Sequence, residues 1–163
     1  MGCDIHMHVE YKNRDFYGWQ CGDYFSLRPG STLESSEYRL VELYADRSYT
    51  LFSILANVRN IDGLQYISSP KGLPKDVTDF VREDYEWWDM DAHSCSYLTL
   101  KEMIDFRETH DGEDYYMLDV IIERLKQRAD ELNVIYDFEW GPSSYDKAYA
   151  QSYKIRIVFW FDN

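Results

Sequence analysis

Residues 154–161 constrain the fold most, because an extended strand formed by them is apolar on nearly both faces. Its two alternating sets are Ile155, Ile157, Phe159 and Phe161 on one side, and Arg156, Val158 and Trp160 on the other. Side chains two apart share a face of a strand, so both faces of this strand need to be covered. Strands of this kind are typical of the interior of a sheet. The sequence therefore predicts a central strand at residues 154–161.

Residues 3–12 form a second strand-like segment, with strict alternation of apolar and polar residues. The apolar set is Cys3, Ile5, Met7, Val9 and Tyr11, and the polar set is Asp4, His6, His8, Glu10 and Lys12. A period of two places the first set on one face and the second set on the opposite face. We expect this half-polar strand to lie beside the central strand. Two of the four histidines of the chain then share one face.

Apolar residues at helical spacing indicate four helices. They are predicted at residues 49–59, from just beyond Pro74, from Thr99 to about residue 108, and at residues 118–132. Thr99 and Glu102 form a capping box that starts the third helix.

The segments between these elements complete the fold prediction. Residues 134–140 are strand-like. Residues 23–37 are interpreted as a loop because they contain Pro29, Gly30 and several serines, and residues 86–97 are interpreted as an ordered loop because they show neither period. Strands and helices in this arrangement predict an α+β fold: a small, mainly antiparallel sheet with adjacent N-terminal and C-terminal strands and about four helices packed on one face. The 163 residues are expected to form a single domain, residues 1–163.

The charge and aromatic content restrict the partners of the chain. Thirty acidic residues against 17 basic ones give a net charge of −13, which repels phosphate backbones, so no direct nucleic-acid binding is expected. A basic partner protein is compatible with this charge, and one version is a protein that mimics nucleic acid. The 15 Tyr, 5 Trp and 8 Phe exceed what the interior holds, so many are expected at a binding surface.

The cysteines and the hydropathy pattern indicate a cytoplasmic protein. Cys3, Cys21 and Cys95 are far apart and form no Cys-x-x-Cys pair, so neither a disulfide framework nor a zinc ribbon is indicated. Reduced thiols are typical of the cytosol. The sequence shows no basic-then-apolar leader and no apolar run near the roughly 20 residues that span a bilayer, so no membrane association is expected.

The His-x-His pattern of the first strand suits a metal ion. Residues two apart on one face are separated by roughly 6.6 Å along the strand, and both imidazoles can point toward one ion. His93, which follows Asp89 and Asp91, is the candidate third ligand beside His6 and His8. Three protein ligands with an open position describe a catalytic zinc. Zinc is the first candidate cofactor, with manganese or iron as alternatives.

Asp4, Glu10 and Asp91 are the candidate catalytic carboxylates, each a general base or an acceptor that orients an imidazole. Arg59 is a candidate for orienting an anionic substrate. Two other interpretations of the polar face stay open. It is either a solvated strand face without a further role, or a buried hydrogen-bonded network.

The segment Asp4-Ile-His6-Met-His8 resembles the first strand of amidohydrolases and PHP phosphoesterases, where an Asp-x-His-x-His segment supplies metal ligands. The resemblance covers about six residues. Those families are longer barrels that need further histidines at later strands. The resemblance implies a shared local way of binding metal, and not membership of either family.

A broader resemblance is to uncharacterised proteins of bacteriophages and prophages. They begin with Gly-Cys-Asp-Ile-His-x-His-Val-Glu, like residues 2–10, and share segments similar to residues 49–60, 93–102 and 156–163. This resemblance spans most of the chain and implies a phage or prophage setting in a bacterial cytoplasm, without an activity.

Two functions therefore remain. One is a small divalent-metal-dependent hydrolase that acts on an unknown small molecule. The other is a non-catalytic acidic accessory protein that binds a basic host protein. A third interpretation gives the histidines a purely structural role, with the activity elsewhere in the protein.

Overall fold

The structure is a computed structural model that describes residues 2–12, 18–32, 37–134 and 152–163. The strands within these residues are β1 (Ile5–Tyr11), β2 (Gln20–Cys21), β3 (Tyr24–Leu27), β4 (Tyr38–Val41), β5 (His93–Thr99) and β6 (Ile155–Phe161). The helices are α1 (Tyr49–Ala56), α2 (Asp79–Trp88), α3 (Leu100–Thr109) and α4 (Tyr116–Glu131), with 3₁₀ turns at Asp89–Asp91 and Glu113–Tyr115.

The main sheet has the strand order β2-β1-β6-β5, and each neighbouring pair is antiparallel. Strands β3 and β4 form a separate two-stranded ribbon. Every residue of β6 is buried, as expected of a strand with a partner on each side. The α+β class, the antiparallel sheet and the adjacency of the N-terminal and C-terminal strands are all confirmed.

The apolar face of β1 lies in the main hydrophobic core. Ile5, Met7 and Val9 are at most 2% exposed and pack with residues of α1, α3 and α4. Ile157 and Phe159 of β6 belong to the same cluster. Burial of these side chains fixes the register, because a slip by one residue would turn the apolar set away from the core.

Helix α2 covers the opposite face of the sheet, which corrects the prediction that about four helices pack on one face. Val158 and Trp160 of β6 form a second cluster with Val81 of α2. The rings of Tyr85 and Trp160 also meet edge to face, with centroids 5.3 Å apart. Val158 and Trp160 are apolar, so this face of the central strand needs a covering element as much as the first face does.

Several predicted boundaries differ from the structure. Helix α1 ends at Ala56 rather than near residue 59, because Asn57 takes the left-handed conformation and caps the helix. The supposed loop 86–97 contains the end of α2, a 3₁₀ turn and most of β5, and the supposed loop 23–37 contains β3. The strands within these segments, β3 and β5, owe their extended conformation to pairing with β4 and β6. The predicted strand at residues 134–140 lies, beyond Val134, outside the described residues.

The capping box that starts α3 is confirmed. The Thr99 side chain accepts a hydrogen bond from the Glu102 backbone N–H, and the Glu102 side chain accepts one from the Thr99 backbone N–H. Two of the otherwise unpaired donors at the start of the helix are thereby satisfied.

Candidate functional site: the histidines of the first strand

His8 lies beneath α2, and both of its ring nitrogens contact carboxylates. Nδ1 is 2.7 Å from Oδ2 of Asp23, in the turn before β3, and Nε2 is 2.7 Å from Oδ2 of Asp84, in α2. The side chain is 1% exposed. Burial alone would lower the pKa of His8, but the hydrogen bonds with Asp23 and Asp84 outweigh it and raise the pKa to about 9. The imidazole is therefore a buried cation that joins β1 to a turn and to a helix.

Aromatic rings enclose the imidazole of His8. The indole of Trp160 stacks on it with centroids 5.2 Å apart, and Phe80 of α2 meets it edge to face at 5.6 Å. The other carboxylate oxygen of Asp23 accepts a hydrogen bond from the Val9 backbone N–H at 2.8 Å. These contacts hold His8 in one orientation and keep water from it.

Glu10 and Arg156 form a second buried ionic contact on the same face. Arg156 Nη2 lies 2.7 Å from Glu10 Oε1, and the two side chains are 4% and 0% exposed. The other oxygen of Glu10 accepts a hydrogen bond from the Thr78 backbone N–H, just before α2. Arg156 also contacts Asp76 at 2.9 Å and lies 3.9 Å from the centre of the Trp19 ring. Glu10 therefore binds the start of α2 to the sheet.

His6 occupies the other end of the polar face and is 18% exposed. Nε2 lies 2.9 Å from Oδ2 of Asp162, Nδ1 lies 3.9 Å from Oε1 of Glu42, and the ring packs on Trp88 with centroids 4.0 Å apart. Burial alone would lower the pKa of His6, but the nearby carboxylates of Glu42 and Asp162, of which Asp162 is within hydrogen-bond distance, outweigh it and raise the pKa. His6 thus repeats the arrangement of His8, with a carboxylate near each ring nitrogen.

Asp4 lies at the start of the same face and is paired with Arg47. Two guanidinium nitrogens of Arg47 lie 2.8 Å from the two carboxylate oxygens of Asp4. The hydrogen bonds from Arg47 lower the pKa of Asp4. The Asp4 backbone N–H also donates to Oδ1 of Asp162 at 3.0 Å. Asp4 and His6 are therefore linked through Asp162.

His93 does not lie on the polar face. It begins β5 opposite Phe161, whereas His6 is opposite Trp160, and consecutive residues of β6 point to opposite faces. Its Nε2 lies 3.9 Å from Sγ of Cys3, which belongs to the apolar set. A β-bulge follows His93, and Ser94 takes a left-handed conformation with φ of 52°. The structure brings His93 to the end of β1, but not to the two imidazoles of that strand.

The remaining candidate residues are dispersed. Asp91 is exposed at the end of the 3₁₀ turn after α2. Arg59 is exposed and interacts with the buried thiol of Cys3, whose pKa is raised by burial in spite of that interaction. Across residues 2–12, 18–32, 37–134 and 152–163, no group of three or more His, Cys, Asp or Glu side chains is arranged to hold a metal ion.

Sequence reasoning missed the partners of these side chains: Asp23, Asp76, Asp84, Arg156 and Asp162. The partner of His8 in the turn is 15 residues away, and the partner of His6 is 156 residues away. Arg156 alone gave a signal, since a charged residue in an otherwise apolar strand needs a buried counter-charge. The others carry no local pattern that distinguishes them.

Helix α2 and the turn after it present an acidic and aromatic surface, which we call the α2 surface. Its exposed apolar side chains are Phe80, Trp87 and Met90, at 40%, 73% and 91% exposure. Its exposed carboxylates are Asp79, Glu83, Glu86, Asp89 and Asp91. Among the described residues, Asp79 forms an ion pair with Arg82, and the other four form none.

The β3–β4 ribbon carries a second exposed apolar surface, which we call the ribbon face. Phe25 is opposite Leu40 and Leu27 is opposite Tyr38, so these four side chains share one face. Phe25, Leu27 and Tyr38 are 46%, 54% and 65% exposed. Phe25 meets Phe80 edge to face at 5.6 Å, and this contact joins the ribbon face to the α2 surface.

Two grooves lie elsewhere on the molecule, one of about 430 Å³ between α3 and α4 and one of about 650 Å³ along α4. Their walls mix both charges, including Arg107, Asp119, Glu123 and Lys126. None of the four histidines lines either groove. Neither groove therefore lies at the polar face of β1.

Comparison with known proteins gives no match. No family model matches the sequence, and no curated protein or solved structure is significantly similar to it. No helix in the described part of the chain has the length and apolar character needed to cross a bilayer.

Proposed function

We propose that this protein is a non-catalytic binding protein that docks a basic partner protein on its α2 surface. The observation that carries the proposal is the combination of five exposed carboxylates with exposed Phe80, Trp87 and Met90. Exposed aromatic residues supply the apolar anchors of protein interfaces. Complementary charge supplies orientation and fast association. In the phage or prophage setting that the sequence resembles, the partner is a protein of the bacterial host.

The charge pattern of α2 differs from that of the helices on the other face. Three carboxylates of α3 and α4 form ion pairs with cations of the same two helices: Lys101–Asp105, Arg107–Asp119 and Lys126–Glu123. The carboxylates at Glu83, Glu86, Asp89 and Asp91 have no such partner among the described residues. Lysine or arginine of another protein therefore gains more from binding α2 than from binding α3 or α4. Because α3 and α4 also carry carboxylates, a one-sided imitation of a phosphate array is the less favoured version.

The histidines support this proposal through their position. His8 and Glu10 both bind α2, through Asp84 and through the Thr78 backbone. Both ring nitrogens of His8 are already engaged by carboxylates. A buried protonated imidazole holds the helix rigidly on the sheet, and a preformed surface loses less entropy on binding.

The test compares two double variants with the same change in charge. Glu83→Lys with Glu86→Lys reverses charge on the α2 surface, and Asp62→Lys with Glu108→Lys reverses it at exposed positions elsewhere. Each protein is used to capture partners from a bacterial lysate, and the captured protein is then purified and titrated by calorimetry at low and high ionic strength. We expect a basic partner whose affinity falls about tenfold or more in the first variant alone. Equal loss in both variants would contradict a role for the α2 surface.

A metal-dependent hydrolase is the second candidate function. The observation that favours it is that His6 remains partly exposed next to Asp162, while Cys3 and His93 approach to 3.9 Å at the same end of β1. The test is metal analysis of the purified protein, with His6→Ala as the comparison. Stoichiometric zinc, manganese or iron that is lost in the variant would support a hydrolase. Absence of bound metal, with a melting temperature unchanged by zinc or chelator, would contradict it.

A further inference from the structure

We infer that the ribbon face receives an amphipathic, basic α-helix of the partner. The inference rests on the proposed function and names the kind of element that docks. The helix lays its apolar stripe on Phe25, Leu27, Tyr38 and Leu40, and its lysine and arginine residues reach the carboxylates of the α2 surface.

The ribbon face is an exposed apolar surface with the residue types of a protein interior. All four of its side chains are apolar or aromatic, and they form two cross-strand pairs, Phe25 with Leu40 and Leu27 with Tyr38. Three of them are about half exposed or more. A two-stranded ribbon is marginally stable alone and gains its stability by packing on a helix or on further strands. Contiguous exposed apolar side chains of this kind mark interaction sites.

The opposite side of the ribbon already has a partner within the chain. Tyr24 lies over the guanidinium of Arg128 at 3.6 Å from the ring centre, and its hydroxyl donates to Glu131 of α4 at 2.5 Å. Since residues alternate along β3, Tyr24 points away from the side that carries Phe25 and Leu27. The ribbon is thus anchored to α4 through Tyr24, and the apolar side chains on that side, Tyr24 and Val41, are 36% and 41% exposed. Phe25, Leu27 and Tyr38 of the ribbon face are each more exposed than these two.

The dimensions of the ribbon face suit a single helix. Paired strands lie roughly 5 Å apart, so two strands with their side chains form a surface of about the width of a helix, which is roughly 10 Å. An extended segment would instead add to the edge of the ribbon and leave the apolar face open. Because the exposed apolar side chains lie on the face of the ribbon, a helix packed on that face buries more of them than a strand added at the edge.

The neighbouring charge determines the character of the helix. Phe25 contacts Phe80, so the α2 surface begins directly beside the ribbon face. Glu83 and Glu86 follow on the exposed side of α2. A second copy of this chain carries a net charge of −13, so its approach to these carboxylates is electrostatically unfavourable. A helix with lysine or arginine along one edge satisfies both surfaces at once.

The probes for the test are two synthetic lysine–leucine peptides of about 18 residues, a length that permits helix formation on a surface. They have the same composition, one with leucines at helical spacing and the other with leucines alternating. Leu27→Ser with Tyr38→Ser alters the ribbon face. Ile61→Ser with Tyr116→Ser is the matched control at two other exposed apolar positions, 88% and 66% exposed. Dissociation constants are measured by fluorescence anisotropy, and circular dichroism confirms that each variant is folded.

We expect the helical peptide to bind the unmodified protein about tenfold more tightly than the alternating peptide, and the ribbon variant to lose about tenfold in affinity, which corresponds to roughly 1.4 kcal/mol. The control variant should bind as the unmodified protein does. If both peptides bind equally well and Glu83→Lys with Glu86→Lys still weakens binding, the inference of a docked helix is overturned and the proposed function stands. If neither the ribbon variant nor the α2 variant weakens binding, both the inference and the proposed function are contradicted. Concentration-dependent dimerisation that Leu27→Ser abolishes would assign the face to a second copy and overturn the inference.

Discussion

The Nε2 atom of His8 lies 2.7 Å from Oδ2 of Asp84, so the first strand is joined through one imidazole to the helix that covers it. Asp84 is 36% exposed, whereas His8 is 1% exposed. The contact therefore runs from the interior of the sheet to the edge of the α2 surface. Stability of the fold and presentation of that surface depend on the same protonated group.

The buried imidazolium makes stability depend on pH. Since the pKa of His8 is raised from 6.5 to about 9 in the folded protein, its contribution is fully present below pH 6.5 and is lost as the pH rises through 9. The free energy of unfolding should fall by about 3 kcal/mol over this range, because each unit of difference in pKa between the folded and unfolded states corresponds to about 1.36 kcal/mol. Urea denaturation at a series of pH values measures it. His8→Gln should be less stable at neutral pH and should lack this dependence, and His110→Gln should keep it. A free energy of unfolding independent of pH in the unmodified protein would exclude a raised pKa.

The contact between Glu10 and Arg156 is predicted to be strongly coupled. Removing one partner with Arg156→Met leaves a buried carboxylate without its cation and should lower the free energy of unfolding by about 3–5 kcal/mol. Glu10→Gln combined with Arg156→Met should recover much of that loss, because no buried charge is then left unpaired. A double-mutant cycle from denaturant unfolding measures the coupling. Additive effects of the two substitutions would show that the residues do not interact.

Two threonines that precede helices should respond differently to the same substitution. The Thr99 side chain caps α3, whereas Oγ1 of Thr78, before α2, is buried and has no hydrogen-bond partner among the described residues. Thr99→Val should lower stability by about 1 kcal/mol. Thr78→Val should be neutral or slightly stabilising, because it removes a buried hydroxyl without a partner. Thermal unfolding of the two variants compares them directly, and equal destabilisation would contradict the assigned roles.

The three thiols should differ in reactivity. Cys21 is exposed, while Cys3 and Cys95 are buried. Burial raises the pKa of the Cys95 thiol to about 12, and it also raises the pKa values of Cys3 and Cys21, so accessibility is what distinguishes Cys21. We expect one thiol per chain to react with a disulfide reagent under native conditions, and three after denaturation. Cys21→Ser should abolish the native reaction. Rapid reaction of a second thiol would contradict the burial of Cys3 and Cys95.

The alternating and helical patterns predicted much of the fold. The alternation at residues 3–12, the apolar set at 154–161 and the capping box at Thr99 each define an element through side chains that are local in sequence. The β3 strand was missed because Pro29, Gly30 and several serines make residues 23–37 resemble a loop, and β5 was missed because residues 86–97 show neither period. Both segments become extended by pairing with another strand. The local sequence shows which side chains of an element are buried, but it says little about which other element packs against them.

The candidate site was also predicted only in part. The sequence identifies the polar face of β1, and it leaves open whether water, a metal or the protein itself covers that face. In the structure His8 and Glu10 are covered by α2, and their counter-charges come from distant positions. His93, the candidate third ligand, lies near the start of β1, but its place opposite Phe161 puts it on the other face of the sheet. Alternation in one strand does not determine the register of its neighbours.

The place of β6 in the sheet has a consequence for how the chain folds. β6 lies between β1 and β5, and its Arg156 pairs with Glu10 at a separation of 146 residues. Among the described residues, the other neighbour of β1 is β2, which pairs with Glu10 and Tyr11 alone. Most of β1 therefore gains its hydrogen-bonded neighbour only through contacts that are distant in sequence, and contacts of such long range form slowly. Until β6 docks, the open edge of β1 is a place where another chain can pair with it.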